Sequence, residues 1–147
     1  MEENYESMVT EVQVNGYSLK QIEMLPSLGN MERVTTFVEQ TLEELDVPVK
    51  AVVSFNIAID EIFSNIVYYS GATKAFIACG YDGTHAMLQF MDDGKPYNPL
   101  EAEDPDTTLA VEDRQIGGLG IFMVRNMMSE MQYRYENRMN CLFMVSK

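Results

Sequence analysis

Apolar residues recur at helical intervals in two segments of this chain. In residues 30–45 they return every three or four positions, and Asn30 stands where a helix N-cap belongs. Residues 50–69 repeat this spacing with a more apolar composition, and Gly71 follows where a left-handed C-cap residue ends a helix. The two segments therefore predict two helices, each with an apolar face.

Alternating apolar and polar positions predict strands on both sides of these helices. Before them, "TEVQVNGYSLKQIEML" alternates around Asn15-Gly16, a pair that favours a two-residue hairpin turn. After them, "KAFIACGYDGTHAMLQFMDDG" contains two strands joined at Asp82-Gly83, and "MQYRYEN" and "NCLFMVSK" end the chain as two more. This order predicts an α+β fold, a two-layer sandwich with helices on one face of a mostly antiparallel sheet.

Two segments between these elements lack such periodicity. Residues 95–116 form a polar stretch with three prolines, and its length is typical of a lid or binding loop. "QIGGLGIFMV" then places Gly117, Gly118 and Gly120 ahead of a helix that ends near Met128. Glycine costs about 1 kcal/mol relative to alanine inside a helix. The cluster can form an anion site, in which bare backbone N–H groups and the helix dipole bind a phosphate. Taken alone, it is more typical of a flexible hinge.

Composition and charge narrow the class of protein. The chain has 147 residues, 46% of them hydrophobic and 22% charged, which suits one globular domain. We expect no membrane span and no secretory signal, and Cys79 and Cys141, without CxxC spacing, should be buried thiols of a reducing cytoplasm. The formal net charge of −13 disfavours nucleic-acid binding and suits a basic protein partner.

Two polar residues share one face of the second predicted helix. Glu61 and Asn65 are four positions apart, so they lie about one turn from each other. A carboxylate can accept a proton from an attacking hydroxyl or water. An amide oxygen is a suitable ligand for Mg²⁺. Taken alone, this pair is more typical of a solvated polar face.

The turn after the fourth predicted strand carries candidate base-binding residues. In "FMDDGKPYNPL", Asp92 ends the strand, where its carboxylate can accept a hydrogen bond from an exocyclic amine. Gly94 is free to adopt a positive φ and would let a flat ring approach the backbone. Taken alone, this too is typical of an ordinary Asp-Gly turn. Together with the Glu–Asn pair, the lid and the glycine cluster, it completes the parts that a Mg-ATP site requires.

Three segments carry a resemblance to a known superfamily. "AIDEIFSNIV", "MDDGKPYNPL" and "RQIGGLGIFMVRNMM" resemble the N, G1 and G2 boxes of the Bergerat-fold (GHKL) ATP-binding proteins. The short chain and the form of the last two boxes are most similar to anti-sigma-factor serine kinases of the RsbW type. The resemblance implies one domain over residues 1–147, with residues 1–20 as an N-terminal extension and residues 95–116 as the ATP lid. The only histidine, His85, falls near a hairpin turn, which disfavours a histidine kinase.

The resemblance implies a role for each candidate residue. Glu61 would be the general base that deprotonates a partner's serine, and Asn65 would coordinate Mg²⁺ that bridges the phosphates. Asp92 would bind the adenine amino group, with Gly94 beneath the ring and Pro96 in the compact form of the box. The triphosphate would be held by Arg114, Gly117, Gly118, Leu119, Gly120 and Ile121.

The resemblance also implies partners. The family forms homodimers that hold a sigma factor, and a small anti-anti-sigma protein of STAS fold accepts the phosphoryl group. The residues themselves leave three functions open. One is a serine kinase, the second is an ATP-dependent binding switch without transfer, and the third is an ATPase in which Glu61 activates water.

Overall fold

A six-stranded antiparallel sheet forms the base of the fold. The structure is a computed structural model and describes residues 9–101 and 118–147. The strand order across the sheet is β1-β2-β3-β4-β6-β5, and every neighbouring pair is antiparallel. The strands are β1 (Thr10–Val14), β2 (Tyr17–Met24), β3 (Ala75–Tyr81), β4 (Ala86–Asp92), β5 (Met128–Glu136) and β6 (Met139–Ser146). The predicted strands are thus confirmed.

Within the described residues, three helices pack on one face of this sheet. They are α1 (Met31–Glu44), α2 (Val49–Asn65) and α3 (Gly118–Met127). Short 3-10 turns cover Leu28–Asn30 and Pro99–Glu101. The core between the layers contains Ile77 and Leu88 from the sheet together with Phe55, Ile59 and Phe63 of α2, all of them buried. The predicted α+β sandwich with helices on one face is confirmed.

The outer face of the sheet buries a second, smaller apolar cluster. Leu19, Met87 and Phe143 belong to it, and the Tyr17 ring stacks on Phe143 with the ring centroids 6.5 Å apart. At the β1–β2 turn, the Asn15 side chain hydrogen-bonds Gln132 and Arg134 of β5, each at 3.4 Å. Since β1 and β5 are the two edge strands, these bonds show that the sheet curls over its own outer face.

Turn residues follow the sequence prediction with one exception. Asn15 and Gly16 have φ of 51° and 85°, and Gly71 is left-handed at the end of the second helix, as predicted. Asn30 is the N-cap residue of α1, as predicted, but its side chain makes no capping hydrogen bond and donates instead to the Leu25 carbonyl at 2.8 Å. The 3-10 turn runs directly into α1, so Asn30 already has helical backbone angles.

The second helix and the turn that follows it match the predicted segment within one residue at each end. This helical segment, Val49–Ser70, has 22 residues and is long and apolar enough to cross a membrane by length and composition, whereas the sequence analysis expected no such segment. That expectation rested on uninterrupted apolar runs, and polar residues interrupt the runs of this helix. The side chains that make it apolar, among them Ala58 and Ile62, pack in the core. This is the arrangement of a core helix in a globular domain.

The cysteines and the histidine lie where the sequence places them. Cys79 and Cys141 are both buried free thiols. Burial raises the pKa of the Cys79 thiol to about 12, so that thiol stays protonated. His85 is exposed at the β3–β4 turn, where its Nδ1 lies 3.4 Å from the Asp82 carboxylate.

Candidate functional site

A cavity of about 390 Å³ opens between the C-terminal part of α2, the turn after β4 and the strands β5 and β6. This volume is in the range of small-molecule sites. Four residues predicted for the site line it, namely Asn65, Asp92, Pro96 and Ile121. The polar side chains come from separate parts of the sequence and meet at this wall, as a ligand site requires.

The other predicted residues fall into three groups. Glu61 and Gly94 contact residues that line the cavity, and Gly120 contacts Glu61. Gly118, Leu119 and Gly120 lie in the first turn of α3, which begins at Gly118, so the expectation that Gly118 and Gly120 precede the helix is wrong. The first N–H groups of a helix have no intrahelical partner, so glycine is tolerated in this turn and its N–H stays available. Arg114 and Gly117, like most of the predicted lid, lie outside the described residues.

The helix widens directly after Asn65. Residues Ile66–Ser70 form a π-helical turn, which the sequence analysis expected to be regular α-helix. π-Helical turns inside α-helices are frequent at functional sites. The Ser70 carbonyl accepts a hydrogen bond from the Lys95 N–H at 2.9 Å. The turn therefore fastens the end of this helix to the loop after β4 and places Asn65 at the cavity wall.

Glu61 and Asn65 form the predicted pair. The Asn65 Nδ2 donates to Glu61 Oε1 at 3.0 Å, and both side chains are half-buried. A Cβ on Gly120 would lie 2.1 Å from Glu61 Oε2. The carboxylate thus occupies the space that any side chain at position 120 would need, in the first turn of α3. The sequence analysis assigned Gly120 to a triphosphate, but its described neighbour is the proposed base.

Asp92 lies at the end of β4, opposite Asn140 of β6, and is 6% exposed. Its Oδ1 accepts hydrogen bonds from the Gly94 N–H at 2.9 Å and from Asn140 Nδ2 at 3.1 Å. Burial raises the pKa of the Asp92 carboxyl, and these two hydrogen bonds oppose the rise. The negative charge of Asp93 adds to the rise. A desolvated acceptor therefore stands at the base of the cavity.

Gly94 is required for a different reason from the one expected. The glycines with positive φ in the described ranges are Gly16, Gly71 and Gly83, so Gly94 does not use the positive φ that glycine allows. A Cβ on Gly94 would lie 2.6 Å from the Ser70 carbonyl oxygen and 2.9 Å from Asp92 Oδ1. Its missing side chain lets the loop after β4 pack against the π-helical turn.

Asn140 is the functional residue that sequence reasoning missed. Its Nδ2 also donates to the Lys95 carbonyl at 2.9 Å. Its Oδ1 accepts from the Tyr97 N–H at 3.0 Å and from the Tyr133 hydroxyl at 2.5 Å. The available signal was a polar residue at an inward-facing position of the last strand. Its meaning depends on the β4–β6 pairing, which the sequence analysis did not assign.

A family model described as the histidine kinase-like ATPase domain matches residues 24–146. The chain belongs to the histidine kinase-like ATPase domain family. Membership of this family implies that the chain binds a nucleotide, and the predicted superfamily is confirmed. No curated protein matches the chain.

A solved structure of another protein has the same fold as this histidine kinase-like ATPase domain. It contains the RsbU and RsbW domains of Rv1364c from Mycobacterium tuberculosis, with a TM-score of 0.59 and 13% sequence identity. The alignment covers 86% of this chain and 32% of that chain, so this chain spans about a third of the neighbour's length. At this identity the likeness shows the fold alone.

Proposed function

We propose that the chain is an ATP-binding anti-sigma regulatory factor with serine-protein kinase activity. It transfers the γ-phosphoryl group of ATP to a serine of a STAS-fold anti-anti-sigma partner and, by the same resemblance, sequesters a sigma factor. The observation that carries the proposal is the Glu61 carboxylate, held by Asn65 at 3.0 Å and packed against Gly120 in the first turn of α3. On one side of this carboxylate lies an amide that can bind a metal ion, and on the other lies a helix N-terminus that can bind a phosphate. This position suits a general base that acts beside a phosphate.

The adenine ring is assigned to the cavity. Its volume and largely apolar walls suit a purine, and the Asp92 carboxylate can accept a hydrogen bond from the 6-amino group. Pro96 and Ile121 line the same walls. The phosphates are assigned to the N-terminus of α3, where Gly118 and Leu119 offer backbone N–H groups.

The fit of Mg²⁺ rests on Asn65. Because the Asn65 amide nitrogen donates to Glu61, the oxygen is the end of the amide that is left for a cation. Mg²⁺ commonly takes few protein ligands and completes its octahedron with substrate phosphates and water, so one amide oxygen suffices. When bound, Mg²⁺ neutralises negative charge on the phosphates. Within the described ranges, no group of three His, Cys, Asp or Glu residues could hold a metal by itself.

Glu61 performs the proton transfer in this proposal. It accepts the proton of the partner's serine hydroxyl as the serine oxygen bonds to the γ-phosphorus. The bond from that phosphorus to the bridging oxygen breaks, and ADP leaves with the electron pair. The Asn65 hydrogen bond fixes the orientation of the carboxylate, which is what such a reaction mostly requires of the protein.

The partners follow from resemblance and charge. A net charge of −13 supports a basic partner surface, and the resemblance supports a cytoplasmic homodimer. The structural neighbour that contains an RsbW domain supports the anti-sigma assignment.

Incubation with γ-labelled ATP and Mg²⁺, with and without a STAS-fold protein from the same source, tests this function. Label on the partner's serine is the expected result. Release of free phosphate alone would make the chain an ATPase with the same base. Saturable binding without either product would make it a binding switch.

A further inference from the structure

The Asn140 side chain is hydrogen-bonded on every side. Its Oδ1 accepts from the Tyr97 N–H and the Tyr133 hydroxyl, and its Nδ2 donates to the Lys95 carbonyl and to Asp92 Oδ1. The residue is 7% exposed. One buried amide therefore joins β5, the loop after β4 and the carboxylate at the base of the cavity.

The protein uses one carboxylate oxygen of Asp92, and the other oxygen is left for a ligand in the cavity. Both donors to this carboxylate, the Gly94 N–H and Asn140 Nδ2, are bonded to Oδ1. No donor among residues 9–101 and 118–147 bonds Oδ2, which remains an acceptor at a desolvated site. A 6-aminopurine offers an N–H to such an acceptor. A 6-oxopurine offers a second acceptor, which leaves both groups unsatisfied and costs affinity.

We infer that Asn140 is the positioning residue that sets the base preference of this site for 6-aminopurine nucleotides. It occupies one oxygen of Asp92, leaves the other to the base, and holds the loop after β4 against the cavity. This inference rests on the proposed ATP binding. Asn140 acts through Asp92 and does not contact the phosphates in this assignment.

The isosteric variant Asn140→Asp tests the donor alone. It keeps an oxygen for the Tyr97 N–H and the Tyr133 hydroxyl, but it replaces the amide nitrogen by an oxygen facing Asp92. The Asn140 Nδ2 atom that is replaced lies 3.1 Å from Asp92 Oδ1. Two carboxylates this close share one proton at low pH and repel each other when both ionise. We expect ATP affinity at pH 8 to be at least about tenfold weaker than in a matched control, and we expect this difference to shrink as the pH is lowered.

The matched control is Asn98→Asp. It makes the same charge change, and its oxygen can still accept from the Leu100 N–H, a bond of 2.9 Å in the wild type. The titratable groups around Asp92 and its cavity are Tyr69, Asp93, Lys95, Tyr97, Tyr133 and Cys141, and they are identical in both variants. Their titration and that of ATP therefore cancel in the ratio of the two affinities.

A second readout separates positioning from mere structural support. Competition between ATP and purine riboside triphosphate, which lacks the 6-amino group, measures the preference for the base. Wild type and Asn98→Asp should prefer ATP, whereas Asn140→Asp should lose most of that preference at pH 8. Equal weakening for both nucleotides, or a pH profile identical to the control, would overturn the inference.

Two outcomes keep this test separate from the test of the proposed function. If the wild type binds no ATP, the proposed function fails first and the inference fails with it. If the wild type binds ATP and Asn140→Asp has the same base preference and the same pH profile as Asn98→Asp, only the inference fails. Should Asn140→Asp not fold, Tyr133→Phe removes the hydroxyl that orients the amide. It should reduce the base preference about two- to fivefold, and an unchanged preference would equally overturn the inference.

Discussion

The two ends of the candidate site are built differently. At the end proposed to bind the adenine base, Asp92 and Asn140 are buried, lie opposite each other in paired strands and are bonded to four backbone N–H or C=O groups of the loop after β4. At the end proposed for catalysis, Glu61 and Asn65 are half-buried and share one hydrogen bond. Several buried hydrogen bonds therefore fix the proposed adenine pocket, whereas the proposed catalytic end depends on the Asn65–Glu61 hydrogen bond and on Gly120. Substitutions at the two ends should therefore separate binding from chemistry.

The largest effect is expected from Glu61→Gln. This variant can still accept the Asn65 hydrogen bond but cannot take a proton, so transfer should fall by about 10²- to 10⁴-fold while ATP affinity changes by less than about threefold. Phosphoryl transfer and calorimetric titration measure the two quantities. Asp60→Asn, the same charge change at the exposed neighbouring residue, is the control and should leave both unchanged. Retained transfer in Glu61→Gln would contradict the assignment of the base.

Asp92→Asn should act at the other end. Replacing a charged acceptor by a neutral one weakens its hydrogen bond to the base, so we expect ATP to bind about 10- to 100-fold more weakly. The residual transfer rate at saturating ATP should stay close to that of the wild type. If ATP affinity were unchanged, Asp92 would not be the residue that binds the base.

The same variant predicts a dependence of stability on pH. Because burial raises the pKa of Asp92 in the folded state, the native state binds more protons than the unfolded state, and this group costs stability above its folded pKa. Asp92→Asn removes that cost, so its Tm should equal or exceed the wild-type Tm at pH 7. The difference should shrink as the pH falls through the folded pKa and disappear below the unfolded pKa near about 3.9. A difference that grows on acidification would show the opposite sign of shift.

Asn65→Ala should remove the magnesium-dependent part of ATP affinity, about tenfold or more. Titration with Mg²⁺ and with EDTA separates this part, because wild type and variant should bind ATP alike without the cation. Equal affinity of the two proteins in Mg²⁺ would refute the metal assignment.

Gly120→Ala should give the smallest effect. Its Cβ must displace the flexible end of Glu61, so we expect transfer to fall by roughly five- to tenfold, as for the loss of one hydrogen bond. Helix propensity favours alanine by about 1 kcal/mol, so the Tm should not fall. Gly29→Ala, whose Cβ would meet only the Ser27 hydroxyl at 3.5 Å, is the control. Normal transfer in Gly120→Ala would show that Glu61 does not need its place beside α3.

Periodicity predicted the elements well because each burial pattern is local. The Asn15-Gly16 hairpin, the Gly71 cap and the individual strands all follow from residues within a few positions of one another. Asn140 and the role of Gly94 were not predictable in this way. Both depend on contacts between segments distant in sequence, Asn140 with Asp92 and Gly94 with Ser70, and these follow only from the sheet order and the π-helical turn.

The site residues divide along the same line. Glu61 and Asn65 were recognisable because one helical turn brings them together whatever the rest of the fold does. The contact between Glu61 and Gly120 required the packing of α2 against α3, which no local pattern contains.

Calorimetric titration of the wild-type chain with ATP in the presence of Mg²⁺ tests the central claim most directly. The account predicts saturable binding of one nucleotide per chain that Asp92→Asn and Asn65→Ala each weaken while Asp60→Asn does not. Absence of saturation at millimolar ATP with Mg²⁺ present would contradict it.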